Sequence, residues 1–487
     1  MLAWEPVIGL EVHVQLATRS KLFCRCENRF GAPPNTLICP VCLGYPGALP
    51  VTNGHAVELA ATLALALDCE VHGRSEFARK NYFYPDLPKG YQISQFDRPL
   101  ATGGALPLQA GDRTIRIHRL HLEEDAGKLL HEAPGGGALR DSALVDFNRC
   151  GVPLVEIVTE PDLRSAAEAE AVLRLLHRLL LYTRTSDANM EEGSLRCDAN
   201  VSLRRAGTTP LGVKVEIKNL NSFRHVARAI DYEIERQRDL LESAAPVVAE
   251  TRGYDDGSGT THSQRGKEEA HDYRYFPDPD LPAIVVSAER IADLRARLPE
   301  SPWRRQQRLQ ASLGLAEEEA GALVSARELA DYFEHIVAAG AGLAARPIAN
   351  WVRNETLREL NERQAGVDRA PAPERIAGLL RLVEDGTLSL VGAREVHAAI
   401  WGTEEDPAEA ARRLGRIQIR DDAALGAWVD EVIAEFPSQV AELCAGKIQV
   451  LGFLTGQIMK RSAGRADARR SQELLRERLA DAGEADA

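Results

Sequence analysis

A chain of 487 residues, 27 % charged and 44 % hydrophobic, has the balance of a globular protein with about two to four domains. Its formal net charge of −13 excludes indiscriminate nucleic-acid binding, because a phosphate backbone is repelled overall unless basic residues gather in one region. No stretch approaches the ~18 apolar residues of a membrane span, and charge interrupts the opening apolar residues, so the expectation is a cytoplasmic protein without membrane attachment.

The first predicted element is a strand. In LEVHVQL, Leu10, Val12, Val14 and Leu16 share one face, while Glu11, His13 and Gln15 share the other. Four cysteines follow in two close pairs, Cys24-x-Cys26 and Cys39-x-x-Cys42, with twelve residues between the pairs. Two tight turns of this kind present four thiolates at the ~2.3 Å of a Zn–S bond. In a reducing cytosol such pairs are metal ligands or redox centres more often than disulfides. Four thiolates leave no open position, so a zinc ion here is structural; reduced structural thiols are the competing reading. The scattered Cys69, Cys150, Cys197 and Cys444 read as small buried residues.

Further along, RLHLEEDAGK ends a strand on Glu123, Glu124 and Asp125, and Gly135–Gly137 reads as a surface turn. PLVEIVTEPD sets Glu156 inside a nearly continuous apolar run. Ser165 and Glu168 form a capping box ahead of a helix carrying Val172, Leu175, Leu176, Leu179 and Leu180. LRCDANVSL alternates Leu195, Cys197, Ala199, Val201 and Leu203 with Arg196, Asp198, Asn200 and Ser202. VKVEIKN alternates Val213, Val215 and Ile217 with Lys214, Glu216 and Lys218. Residues 253–271 lack periodicity and are predicted as a loop. From about residue 288 the pattern is helical, with breaks at 366–374 and 402–407. The fold class is therefore α+β on a largely antiparallel sheet, followed by helices.

A wet sheet face carries charge in any case, but here short acids recur together with a histidine and an asparagine. Same-face neighbours along a strand are ~6.6 Å apart, so adjacent strands can converge several carboxylates on one cavity. Glu156 is costly to bury unless something positive meets it, and a hard ion such as Mg²⁺ accepts carboxylate and water ligands. Phosphate-loop, dinucleotide, nucleophile-elbow and zinc-protease motifs are missing. A nucleotide would then be held by metal and by basic residues such as Lys80 and Arg274, which aromatic and proline residues flank; a packed tyrosine-rich loop is the competing reading there.

Taken together, VIGLEVHVQL, RKNYFYPDLPKGYQISQFD, RLHLEEDAGK, GVPLVEIVTEPD, MEEGSLRCDANVSL, VKVEIKNLNSF and DYRYFPDPDLP resemble, in that order, the B subunits of bacterial aspartyl/glutamyl-tRNA(Asn/Gln) amidotransferases. RLVEDGTLS and GFLTGQIMKRSAGRAD extend the resemblance to the C-terminal region. It implies a cradle-shaped, glutamine synthetase-like catalytic domain over 1–290 with the knuckle at 24–42, a helical domain over 291–406 and a helical tail over 407–487. It also implies an ATP-dependent carbon–nitrogen ligase that converts Glu-tRNA(Gln) or Asp-tRNA(Asn) to the amidated form. The matching metal and catalytic positions are Glu11, His13, Glu124, Glu156, Asp198 and Glu216, with Mg²⁺ bound among them. Glutamine-derived ammonia would come from an amidase-type A subunit, with a small C subunit completing a heterotrimer; some members carry the four cysteines as a zinc site. Between 447 and 478, eight basic residues face three acids, so the tail is the expected tRNA contact through Lys460, Arg461, Arg465, Arg469 and Arg470. The alternative is a catalytically silent, zinc-containing tRNA-binding scaffold.

Overall fold

Alternation along the first strand organises everything that follows. The computed structural model describes residues 4–108, 113–130, 142–266 and 273–485, so the Gly135–Gly137 run lies outside the described residues. Ten strands make one sheet: β1 (Trp4–Gln15), β2 (Glu70–Val71), β3 (Ala101–Thr102), β4 (Ala105–Leu108), β5 (Arg113–Glu124), β6 (Pro153–Thr159), β7 (Leu195–Arg205), β8 (Val215–Leu220), β9 (Glu250–Asp255) and β10 (Thr260–Gly266). Their order is β10-β9-β8-β7-β1-β6-β5-β3-β2, and β4 also pairs with β5. Every pairing is antiparallel except β8–β9.

Leu10, Val12 and Val14 of β1, Ala199 and Val201 of β7, and Val155 and Ile157 of β6 are all buried, so one face of the sheet is apolar. The helices α1 (Gly54–Ala66), α2 (Ala166–Thr183) and α3 (Phe223–Glu242) cover it. In α2, Val172, Leu175, Leu176, Leu179 and Leu180 point inward as their spacing predicts. Only half of the predicted capping box forms. Ser165 caps the N–H of Glu168, but the Glu168 carboxylate takes the N–H of Arg164, one residue earlier.

The expected loop at 253–271 is a correction. Residues up to Gly266 lie in the β9–β10 hairpin, which docks in parallel on β8 through Thr251, Arg252 and Gly253; residues 267–272 lie outside the described residues. As the outermost pair of the sheet, the hairpin has little apolar surface to bury, so its pairing leaves no period in the sequence. A fourth helix, α4 (Ala288–Ala296), packs on α1 with Arg290 ion-paired to Glu58. The expected boundary at 290 falls inside it.

The chain divides into two compact units, Met1–Trp303 and Arg304–Ala487. The second is helical, as predicted from its pattern. Helices restart at Pro373 and Pro407 after the predicted breaks, where proline's missing N–H costs nothing. Leu425, Val429, Leu454, Ile458 and Leu475 form a separate small core among helices Asp422–Glu435, Gln449–Arg461 and Ala468–Ala485. Cys69, Cys150 and Cys197 are buried, but Cys444 is exposed at the end of a short helix. Among the described residues no helix is long and apolar enough to cross a membrane.

Candidate active site

The polar face of the sheet gathers the acids row by row. Pairing sets His13 opposite Glu156, Glu156 opposite His121, Glu11 opposite Asp198, and Asn200 opposite Glu216. His13 Nε2 lies 3.3 Å from Glu156 and 3.6 Å from Glu123, and one ligand atom from each of the three falls within 4.8 Å of the others. Burial first, and then the charge of Glu156, push the Glu123 carboxyl up to about 7. Burial also opposes ionisation of Glu156, but His121, His13 and Lys80 hold its carboxyl well below the usual range. His121, fully enclosed, is driven down to about 4 by burial. These positive groups keep Glu156 ionised but leave Glu123 raised, so the pair still favours an added positive charge. A hard divalent cation, keeping water in its open positions, fits the pair with His13 as a third ligand.

Glu124 does not join this set. Alternation along β5 puts it on the side of Leu120 and Leu122, whereas Glu123 shares the side of His121. Glu124 is ion-paired with Lys89 and accepts the N–H of Ile93 at 2.9 Å. It lines a cavity of about 240 Å³ together with Lys89, Tyr91, Arg79, Cys24 and Cys42.

Glu11, Asp198 and Glu216 continue the acid face along β1, β7 and β8. Glu11 accepts the Asn200 amide at 2.9 Å, and burial, then Glu156, raise its carboxyl. Lys218 Nζ reaches Asp198 at 2.7 Å and Glu216 at 3.0 Å, and the Thr251 hydroxyl donates to Glu216. Across Cys197–Ala199 the register slips, and Asn219 takes a left-handed backbone (φ +65°), a bulge that redirects β8 beside the site. His121, marked by same-face parity with Glu123, and Lys218, brought between Asp198 and Glu216 by the bulge, join this site beyond the residues expected from the sequence.

The four cysteines converge as their spacing predicts. Their sulfurs lie within 4.8 Å of one another, with Cys39 and Cys42 3.9 Å apart. The N–H of Cys39 donates to Cys42 Sγ at 3.1 Å, and the fully buried Lys21 ammonium approaches it at 3.7 Å. Hydrogen bonding from Cys24, together with these donors, pulls the Cys42 thiol down to about 5. Four converging sulfurs, one already stabilised as thiolate, fit a structural zinc ion.

Residues 6–292 match the family model described as the GatB/GatE catalytic domain, and 331–479 the model described as the GatB domain. The chain is 49 % identical over 482 residues to the aspartyl/glutamyl-tRNA(Asn/Gln) amidotransferase B subunit of Geotalea daltonii, covering 98 % of this chain and 100 % of that one. To the B subunit of Geobacter sulfurreducens it is 49 % identical over 480 residues, covering 98 % and 99 %. For Persephonella marina the identity is 47 % over 481 residues, covering 98 % and 100 %. The chain belongs to the family of amidotransferase B subunits.

Other residues singled out from the sequence are placed differently. Lys80, on the short strand Ala78–Asn81, lies over the Tyr273 ring at 4.8 Å. Burial opposes its charge, but Glu123 heads the groups that keep it protonated, so it faces the acid cluster. Arg274 is exposed, on a left-handed backbone (φ +42°) whose carbonyl accepts from Asn81. The basic residues of the C-terminal tail are largely engaged within the tail itself. Arg470 pairs with Asp422, Glu473 and Glu477, Arg461 with Glu435, and Arg465 donates to the Ser462 carbonyl. Lys460 is exposed, and the Arg469 side chain is 92 % exposed, 3.5 Å from Glu473. Acids of helix Asp422–Glu435 thus offset the surplus counted over 447–478.

Proposed function

We propose that the first unit activates the side-chain carboxylate of Glu-tRNA(Gln) or Asp-tRNA(Asn) with ATP and completes its amidation with ammonia from a partner protein. The observation that carries this reading is the convergence of His13, Glu123 and Glu156 within 4.8 Å, faced by Lys80. A carboxylate repels nucleophiles and offers no viable leaving group. When one of its oxygens attacks the γ-phosphorus of ATP, the bond to ADP breaks and an acyl phosphate forms. Ammonia then adds at the carbonyl carbon, sheds its extra protons, and phosphate departs with the attacking oxygen. Mg²⁺ held by His13, Glu123 and Glu156 would offset the charge of the triphosphate. The chain's own contribution is positioning and charge. Lys80 meets the phosphoryl group in transit, and Lys218 keeps Asp198 and Glu216 ordered instead of repelling each other.

Lys80→Ala is expected to lower kcat for amidation by about 10²-fold, with KM for the aminoacyl-tRNA little changed, as steady-state assays of the assembled enzyme read out. Unchanged kcat would remove Lys80 from this role.

The name of the relatives implies further subunits, and an amidase-type A subunit and a small C subunit are the partners proposed here. The domain assignment 1–290, 291–406 and 407–487 is proposed with it, and so is tRNA contact by the tail. The ion pairs sharpen that contact to particular residues. Arg469→Ala is expected to reduce the salt slope of tRNA binding by about one, measured by titration at several salt concentrations. Arg470→Ala acts first on stability, because it unties helix Ala468–Ala485 from Asp422; a lowered Tm is the check. An Arg469 variant that binds tRNA with an unchanged slope would take that side chain out of the interface.

A further inference from the structure

One row of the polar face includes a cation that neither the metal cluster nor the phosphoryl step uses. Pairing sets Arg196 opposite His13, His13 opposite Glu156, and Glu156 opposite His121. These four stand in line across β7, β1, β6 and β5. Neighbouring strands are about 4.8 Å apart, so Arg196 rises one strand away from His13. The charges of Glu123 and Asp198 both act on its guanidinium. Among the described residues, however, its ion-pair partner is Asp125 alone, 2.8 Å from Nη2.

Asp125 moors this side chain without neutralising it. The Asp125 side chain is 4 % exposed, its Oδ2 also accepts the Gln15 amide at 2.9 Å, and Arg149 Nε lies 3.7 Å from the same oxygen. Two guanidiniums therefore share one carboxylate, and one positive charge is left over. Arg149 is spent on the backbone, donating to the Ala126 and Gly127 carbonyls at 2.9 and 2.7 Å. Arg196 is held by one nitrogen, and its side chain stays 38 % exposed on the polar face.

We propose that Arg196 receives the side-chain carboxylate of the aminoacyl-tRNA and distinguishes it from the amide product. The proposal rests on the activation reading above and adds the group that reads the substrate's charge. A carboxylate entering among Glu11, Glu123, Glu156 and Asp198 meets like charge, so its approach needs a fixed cation. Lys218 is held between Asp198 and Glu216, and Lys80 faces Glu123 from the separate strand Ala78–Asn81. Arg196 stands in the sheet itself, beside His13. Its planar, multiply donating head suits a carboxylate. One substrate oxygen rests on the guanidinium while the other is free to attack the γ-phosphorus at the cluster. Amidation removes this attraction, because the product amide is neutral and its –NH₂ brings donors to a group that has only donors. The contact that admits substrate thus lets product go.

The test compares substrate and product tRNA, Glu-tRNA(Gln) against Gln-tRNA(Gln) or Asp-tRNA(Asn) against Asn-tRNA(Asn), binding to the assembled enzyme. Mg²⁺ and a non-hydrolysable ATP analogue are present, and the two dissociation constants are measured. The tRNA body contributes equally to both, so their ratio isolates the side chain. The unaltered enzyme is expected to hold the substrate about 10-fold or more tighter than the product. Arg196→Gln is expected to bring the ratio within about twofold of one, with KM for ATP changing less than about twofold. Arg196→Lys, which keeps the charge but not the planar head, is expected to retain part of the preference. Equal binding of the two tRNAs by the unaltered enzyme overturns the proposal. An unchanged ratio in Arg196→Gln with KM for ATP raised about 10-fold or more also overturns it, assigning the guanidinium to the triphosphate and leaving the activation reading standing. Amidation by the unaltered enzyme without release of phosphate from ATP overturns both.

Discussion

Glu123→Gln is expected to lower formation of amidated tRNA by on the order of 10²–10³-fold, with the half-saturating Mg²⁺ concentration raised. Glutamine keeps the volume and the hydrogen-bonding shape but removes one of two buried charges that must together hold a cation. The substitution also relieves repulsion from Glu156, which helps to raise the Glu123 carboxyl, so Tm of the metal-free protein should not fall. Glu124→Gln has the opposite signature. It breaks a buried pair with Lys89, in which the two side chains are 1 % and 8 % exposed. The ammonium left behind costs about 3–5 kcal/mol, which a lowered Tm reports, with no change in the Mg²⁺ requirement. Magnesium titrations and melting curves on the two variants separate the two faces of β5. Normal amidation by Glu123→Gln would refute the assignment.

Cys39→Ser should remove zinc and stability together. Cys39 supplies one of the four converging sulfurs, and in a thiolate site metal affinity is folding energy. Elemental analysis is expected to find about one zinc per wild-type chain and much less in the variant, with a lower Tm that a chelator reproduces in the wild type. A wild-type protein without zinc, whose four thiols titrate freely, would show that the knuckle is held by packing alone.

Much of this site is legible in the sequence because strand alternation is a hard geometric rule. Leu10, Val12 and Val14 are buried, so Glu11 and His13 must point the other way, and β7 and β8 repeat the logic. The same rule separates Glu124 from Glu123. Two adjacent glutamates cannot share a face, and the buried Leu120 and Leu122 decide which one turns inward. What the sequence hides is pairing. The β9–β10 hairpin is held by backbone bonds to β8, which leave no side-chain period. Lys218 becomes part of the site only when a bulge brings Asp198 and Glu216 around it. The tail's basic count leaves out acids on another helix, Asp422, Asp430 and Glu435, which pair with Arg470, Arg478 and Arg461.

The central claim is that this acid face joins the tRNA-borne carboxylate to phosphate before nitrogen arrives. The direct measurement supplies the assembled enzyme with ATP, glutamine and Glu-tRNA(Gln) whose side-chain carboxylate carries ¹⁸O, and then analyses the released phosphate by mass spectrometry. Transfer of one carboxylate ¹⁸O to each phosphate formed, lost in Glu123→Gln, is the predicted result. Amidated tRNA formed alongside unlabelled phosphate would contradict the account.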